Sequence, residues 1–348
     1  MGEVCFVGRG IPNLIKSAGD IRALRMLKIL RKAHNVTVIA RSADFGESDV
    51  KGIGCSSYLS GNSQTTLSTL FVCKKFDIII LSHWTVGEEL IDFIRQNSEA
   101  KIWIDTIDVE FLRLSRKFLY DSSKISELEV DRVRGLELGV YGKADGLIVA
   151  SKQDEEELLK FGKFRIIELP CMYFINNEYR VNSGKNAYII CNWKHEPNIV
   201  STQYLCEKIV PFTELLFYIV GKHPPESIKS YASNTINVMG AEYEINKFLL
   251  KMNVLLCPVF WGAGMNGKIG ESLAFGIPVV TSSLGALPYG LVHGETAMIS
   301  DNDESFVECI KNILFDDKLR SKLSVQGREM MQSYTVDYWQ ERFLSKVL

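Results

Sequence analysis

The sequence predicts an α/β protein made of two Rossmann-like domains, each a parallel sheet covered by helices. Three observations predict it. Short apolar, β-rich runs alternate with helix-period segments along the whole chain. A stretch without periodicity, rich in Asn, Gly and Ser, separates two such series at Tyr173–Lys185. At 348 residues, 46% hydrophobic and 24% charged, the chain is long for one core and apolar enough to fill two.

The strand candidates of the first half are Val4–Val7, Val36–Ala40, Asp77–Leu81, Lys101–Asp105, Gly146–Ala150 and Arg165–Leu169. Continuous runs of this kind suit strands buried on both faces. Amphipathic segments such as Ile21–His34 and Glu127–Lys143 lie between them, and strand–helix–strand repetition implies a parallel sheet. The second half repeats the scheme with Ala187–Cys191, Leu216–Val220, Asn237–Met239, Val254–Pro258, Pro278–Thr281 and Ala297–Ile299. Two such sheets are expected to place the carboxyl ends of their strands around a cleft, where ligands bind.

Lys and Arg number 40 against 42 Asp and Glu, a net charge of -2, which gives no support to nucleic-acid binding. The eight cysteines are scattered without a C-x-x-C spacing, and several sit in apolar runs, as Cys5 and Cys257 do. Buried, reduced thiols are expected rather than disulfides or a zinc site. A strand-like run begins within three residues of Met1, and no apolar stretch is long enough to span a bilayer. The expectation is a cytoplasmic protein.

The segment Pro258–Ala286, PVFWGAGMNGKIGESLAFGIPVVTSSLGA, is the most informative. A strand ends at Pro258, a loop with Gly262, Gly264 and Gly267 follows, and a helix carries Lys268 and Glu271 before stopping at Gly276. Glycines let backbone N–H groups approach a ligand, and a helix N-terminus adds positive potential. That suits a diphosphate, with Lys268 adding a formal charge and Glu271 placed to accept from ribose hydroxyls. A glycine-rich turn holding no ligand has the same pattern, and the residues alone do not choose between the two readings.

Other candidates stand at strand ends. Gly8-Arg9-Gly10, then Ser17-Ala18-Gly19-Asp20, forms a strand–loop–helix with Gly19 at the helix start; a plain helix start capped by Ser17 fits as well. His83 follows the strand DIIILS, where a histidine is as a rule a hydrogen-bonded structural group. Asp105 and Asp108 close a strand, and carboxylates there are costly to bury without a role or a partner; Arg113 is the obvious partner. The Ile21–His34 helix carries Arg22, Arg25, Lys28, Arg31 and Lys32, most of them along one face. This reads as a solvated outer face; the sharper alternative is a patch for an anionic lipid-linked or polymeric acceptor, with a peripheral membrane contact.

These motifs together resemble glycosyltransferase family 4, retaining enzymes of the GT-B fold. The branch with GAG-x-x-GK-I-x-E, then G-x-PVV-T and a GA pair, is matched by Gly262, Ala263, Gly264, Gly267, Lys268, Ile269, Glu271, Gly276, Pro278–Thr281, Gly285 and Ala286. Trp193–Asn198 and Ile219–Pro225 resemble the first two strand-to-helix loops of that branch's donor domain, and Asp105–Arg113 and Lys143–Ser151 resemble its acceptor domain.

The resemblance implies an acceptor-side domain over residues 1–174, a nucleotide-sugar domain over 175–333, and a last helix, 334–348, packing back on the first domain through Trp339 and Phe343. It implies that Glu271 holds the ribose, that the loop Gly264-Met265-Asn266-Gly267 meets the sugar and diphosphate, that Gly240 and Ala241 lie near the base, and that His195 belongs to the site. Three positions depart from the pattern. Ala263 replaces the first Glu of the paired motif, and Phe260 stands where Arg or Lys is usual. The stretch Asp105–Glu110 lacks the usual histidine, which leaves Asp108, Asp105, Glu110 and His83 as catalytic candidates.

The expected activity is transfer of a hexose, mannose first, to a glycan, glycoprotein or lipid-linked acceptor, as in polysaccharide biosynthesis. The expected donor is a nucleotide diphosphate sugar, GDP-mannose ahead of UDP-glucose, with no cofactor and no metal; a homodimer is left open. A nucleotide-sugar-binding protein impaired in catalysis is the alternative. A nicotinamide-dependent dehydrogenase is disfavoured because neither half has a full G-x-G-x-x-G after its first strand.

Overall fold

The structure, a computed structural model, describes residues 1–14, 17–42, 47–59, 62–178, 181, 183–242 and 244–347. Residues 179, 180 and 182 of the expected linker, and Leu348, lie outside the described residues. The chain divides into two compact units, one of Met1–Met172, Ala263–Met265 and Val336–Leu348, the other of Tyr173–Gly262 and Asn266–Thr335.

The first unit is built on a seven-stranded parallel sheet. Its strands are β1 (Gly2–Gly10), β2 (His34–Ser42), β3 (Ser56–Leu59), β4 (Ile78–Ser82), β5 (Lys101–Asp105), β6 (Gly146–Val149) and β7 (Ile166–Glu168), in the order β3-β2-β1-β4-β5-β6-β7. Alternate residues enter two cores. Cys5, Val7, Ile79, Leu81, Ile102 and Ile104 pack on one face, and Val4, Phe6, Ile78, Ile80 and Trp103 on the other. Burial of both faces is why these strands read as unbroken apolar runs. Gly146 makes room for Trp103, since a Cβ there would stand 2.3 Å from the indole.

The helix Val336–Val347 belongs to this unit. Phe343 and Val347 are fully buried in its core, Trp339 packs beside them, and Lys32 on the Ala18–Arg31 helix bonds Gln340.

The second unit carries a six-stranded parallel sheet. Its strands are β8 (Asn186–Ile190), β9 (Leu216–Val220), β10 (Ile236–Met239), β11 (Val254–Cys257), β12 (Val279–Thr281) and β13 (Met298–Ile299), in the order β10-β9-β8-β11-β12-β13. Both sheets reverse direction of strand order beside their first strand, at β1/β4 and at β8/β11. Ligands of open α/β sheets bind at such switch points, outside the carboxyl ends of the strands.

Two expectations need correction. The predicted Ile21–His34 helix ends at Arg31, and His34 begins β2, where it is buried. Arg22 is no part of a solvated face: it is fully buried, because it turns inward to a carboxylate described below. None of the eight cysteines forms a disulfide; seven are buried and Cys73 is exposed. Among the described residues no helix is long and apolar enough to cross a membrane.

Candidate active site

In the second unit the loop after β11 runs through Pro258–Asn266 into the helix Gly267–Phe275. Asn266 is the N-cap residue but makes no side-chain cap bond, so no N-cap side chain occupies the helix's first N–H groups. Lys268 Nζ donates to Asn198 Oδ1 at 2.7 Å. That partner is a side-chain amide and carries no charge. Glu271, half-buried, follows three residues later on the same helical face. The helix stops at Gly276, at φ 77°.

Neighbouring loops hold this turn in place. Tyr289 Oη donates to the Asn266 carbonyl at 2.9 Å and pairs with Tyr173 Oη at 2.7 Å. Ser201 Oγ donates to the Pro258 carbonyl at 2.6 Å, tying β11 to the helix Glu196–Tyr204. Ser282 Oγ accepts from Val259 N at 3.0 Å, and Gly285 is required beside it, because a Cβ would lie 2.2 Å from Thr281 Oγ1.

Asn198 Nδ2 donates to the Asn192 carbonyl at 2.9 Å, so one side chain links the β8 loop to Lys268. Asn198 was not singled out by itself in the sequence, although it ends the Trp193–Asn198 loop. His195 is exposed at the N-cap of the same helix and makes no cap bond. Trp193 packs over Gly221, where a Cβ would meet Nε1 at 2.6 Å. Gly240 and Ala241 follow β10 and are exposed.

Ala263, Gly264 and Met265 cluster with the first unit. Gly264 has φ 65°, and Met265 Sδ accepts from Cys171 N at 3.3 Å. A Cβ on Gly264 would lie 3.2 Å from the Ile107 carbonyl oxygen and 3.3 Å from Asp108 Cβ. A Cβ on Gly19 would lie 3.3 Å from Ile107 Cγ2. The two glycines therefore flank one residue, and that residue is strained: Ile107 has φ 61°, and Asp108 N donates across it to the Thr106 carbonyl at 2.7 Å. This is a γ-turn with a β-branched centre at positive φ. Gly19 sits one residue inside the helix Ala18–Arg31, whose N-cap Ser17 accepts from Asp20 N at 3.1 Å.

The four acid–base candidates lie at the carboxyl ends of β4 and β5. Asp105 is fully enclosed: Arg22 Nη1 bonds its Oδ1 at 2.6 Å, while Arg22 Nε holds the Leu169 carbonyl at 2.7 Å. The pairing considered for Arg113 belongs, at Asp105, to Arg22. Arg113 instead bridges Asp108 at 3.3 Å and Glu110 at 3.0 Å. Burial pushes the Asp108 carboxyl up to about 6, against the lowering pull of Arg113. Glu110 also accepts from Trp84 Nε1 at 2.7 Å.

His83 has φ 80° and caps the helix Trp84–Asn97, with Nδ1 3.0 Å from Thr85 Oγ1 and Nε2 3.6 Å from Glu110 Oε2. Burial holds its pKa down at about 4, so it is neutral at pH 7. The helix Glu110–Tyr120 is capped from a distance. Buried Glu137 accepts from Glu110 N at 3.0 Å and Phe111 N at 2.8 Å, and from Tyr141 Oη at 2.6 Å. Burial pushes Glu137 up to about 7.

Two cavities open among these groups. One, of about 200 Å³, is lined by Gly8, Gly10, Ser17, Gly19, His83 and Ile107 among others. The other, of about 390 Å³, is lined by Arg9, His83, Trp84, Glu110 and Arg113 among others. Both lie at the β1/β4 switch point, and Arg9 and His83 face both. Among the described residues no three His, Cys, Asp or Glu side chains group as metal ligands would.

Residues 187–316 match the family model described as glycosyl transferases group 1. No curated protein sequence matches the chain. Among solved structures the chain is similar to sucrose-phosphate synthase from Thermosynechococcus elongatus, at 15% identity and TM-score 0.75 over 99% of this chain and 98% of that one. It is similar to HepE of Anabaena in complex with UDP-glucose, at 11% identity and TM-score 0.73 over 99% of both chains. A glycosyltransferase from Rickettsia africae gives 13% identity and TM-score 0.72 over 99% of this chain and 97% of that one. These likenesses span the whole chain and show its fold, two parallel-sheet α/β domains of the GT-B kind.

Proposed function

We propose that the chain is a retaining glycosyltransferase that moves a hexose, mannose first, from a nucleotide diphosphate sugar to a glycan, glycoprotein or lipid-linked acceptor. The observation that carries this reading is Lys268: an ammonium with a neutral partner, at a helix N-terminus without a side-chain cap, at the β8/β11 switch point. A diphosphate fits that combination of charge and N–H donors. The family-model match over the same unit and the UDP-glucose complex of HepE support the same reading.

In this account Lys268 and the helix N-terminus stabilise the leaving diphosphate, and Glu271 accepts from the ribose. Gly264–Gly267 meet the diphosphate and sugar through backbone groups, with Gly240, Ala241 and His195 around the nucleotide. The anomeric C–O bond to the diphosphate breaks, and a bond to the acceptor oxygen forms on the same face. The acceptor's proton passes to the departing phosphate oxygen, so no protein base is required and the protein contributes position and electrostatics. Asp108, beside Gly264, is the residue assigned to orient the sugar or acceptor, with Glu110 behind it.

Calorimetry with GDP-mannose, UDP-glucose and UDP-N-acetylglucosamine tests the reading. At least one donor binds, GDP-mannose most tightly; failure of all three rejects the assignment. A protein that binds a donor but neither transfers nor hydrolyses it is the impaired alternative.

A further inference from the structure

The larger cavity of the first unit is lined by one guanidinium that no carboxylate among the described residues pairs with. Three guanidinium groups, Arg9, Arg113 and Arg132, line it against two carboxylates, Glu110 and Glu129. Glu129 takes two N–H donors of Arg132, Nε and Nη2, each at 2.8 Å. Glu110 is occupied by Arg113 and by the Trp84 indole. Arg9 has neither: its Nη2 donates to Thr85 Oγ1 at 2.5 Å, and no carboxylate among the described residues pairs with it. His83 beside it is neutral and offsets nothing.

Arg9 is exposed near the end of β1, so its remaining N–H donors are accessible. Apart from Thr85, the rest of the wall is apolar or aromatic, with Trp84, Leu114, Ile125 and Val133. A volume of about 390 Å³ lies in the range of small-molecule sites. A guanidinium with accessible N–H donors in a pocket of mixed polar and apolar lining suits a planar or tetrahedral oxyanion on a compact polar body.

Resting on the glycosyltransferase reading above, we propose that this cavity takes the acceptor, and that the acceptor carries an anionic group, phosphate or carboxylate, held by Arg9. Arg113 is fixed by Asp108 and Glu110 and shapes the wall; Arg132 is fixed by Glu129. The charge read by the ligand is that of Arg9.

The test is calorimetry on the full chain with three probes of similar size: glucose 6-phosphate, glucuronate and glucose. One or both acids bind and glucose does not; which acid binds distinguishes phosphate from carboxylate. Arg9→Gln weakens the acid by about tenfold or more, the loss expected for a charge-assisted hydrogen bond, and Arg9→Lys weakens it less. Circular dichroism of both variants controls for folding. Glucose binding as well as the acids, silence of both acids, or full acid affinity in folded Arg9→Gln overturns the proposal. Donor affinity of the wild type, measured separately, reports on the reading beneath it. Acid binding without any donor binding rejects that reading and keeps the anion site, whereas donor binding without acid binding rejects the site alone.

Discussion

The Ile107 carbonyl oxygen stands 3.2 Å from the point that a Cβ on Gly264 would occupy. Gly264 thus lies against the strained turn that precedes Asp108. Gly264→Ala adds that contact to a left-handed backbone at φ 65°, which costs a non-glycine residue about 1–2 kcal/mol. The variant is expected to unfold at lower temperature and to lose turnover. An unchanged melting midpoint and unchanged turnover would show that the close approach has no consequence.

Lys268 and Glu271 are assigned different parts of the donor, and their variants separate accordingly. Lys268→Ala weakens binding of the nucleotide sugar and of the free nucleoside diphosphate, and weakens the nucleoside far less. Glu271→Ala weakens all three, because the ribose is common to them, by about tenfold or more for a lost charge-assisted bond. Calorimetry of the three ligands checks both. Equal losses for all three in Lys268→Ala would make the lysine structural.

Glu137 gives the protein a pH dependence with a defined sign. Its folded pKa is raised to about 7, so across the interval between its ordinary value and 7 the folded state holds a proton that the unfolded state has released. Stability from this group therefore falls as pH rises through that interval. Asp108, raised to about 6, acts in the same direction, and His83, lowered to about 4, acts oppositely below its ordinary value of 6.5. Between pH 6.5 and 7 Glu137 still acts in this sense, Asp154 and Glu168 are raised by burial in the same direction, and wild-type stability declines with pH there. Denaturant titrations of wild type and Glu137→Gln across pH 6 to 8 check this. A slope that persists in the variant assigns the effect elsewhere.

Asp108→Asn keeps the side-chain shape and deletes the charge. Turnover, whether transfer or donor hydrolysis, is expected to fall about tenfold or more, while donor affinity changes less. Steady-state kinetics with donor varied checks it. Wild-type turnover in the variant would leave Asp108 with only its Arg113 pairing, a brace for the loop.

Much of the architecture is legible because buried parallel strands write themselves as apolar runs. Lys101–Asp105 and Leu216–Val220 coincide with the strands observed. Ser56–Leu59 escapes because it is an edge strand, largely exposed, with no apolar pattern to mark it. The Gly267–Phe275 helix is legible from its glycine stop at Gly276 and from Lys268 at its start. The first unit's site is less so, because its contacts cross long stretches of sequence. Arg22 reaches Asp105 over 83 residues, and Glu137 caps a helix 27 residues upstream. A basic stripe on a helix cannot reveal that one member turns inward, nor does a lone glutamate announce a remote cap.

The most direct test of the account is the stereochemistry of donor turnover followed by NMR. The chain is incubated with GDP-mannose and, separately, UDP-glucose, and the first-formed anomer of the transferred or released sugar is recorded. The account predicts turnover of at least one donor with the anomeric configuration of the donor kept, and loss of that turnover in Lys268→Ala. A product of inverted configuration, or no turnover of any donor the protein binds, would contradict it.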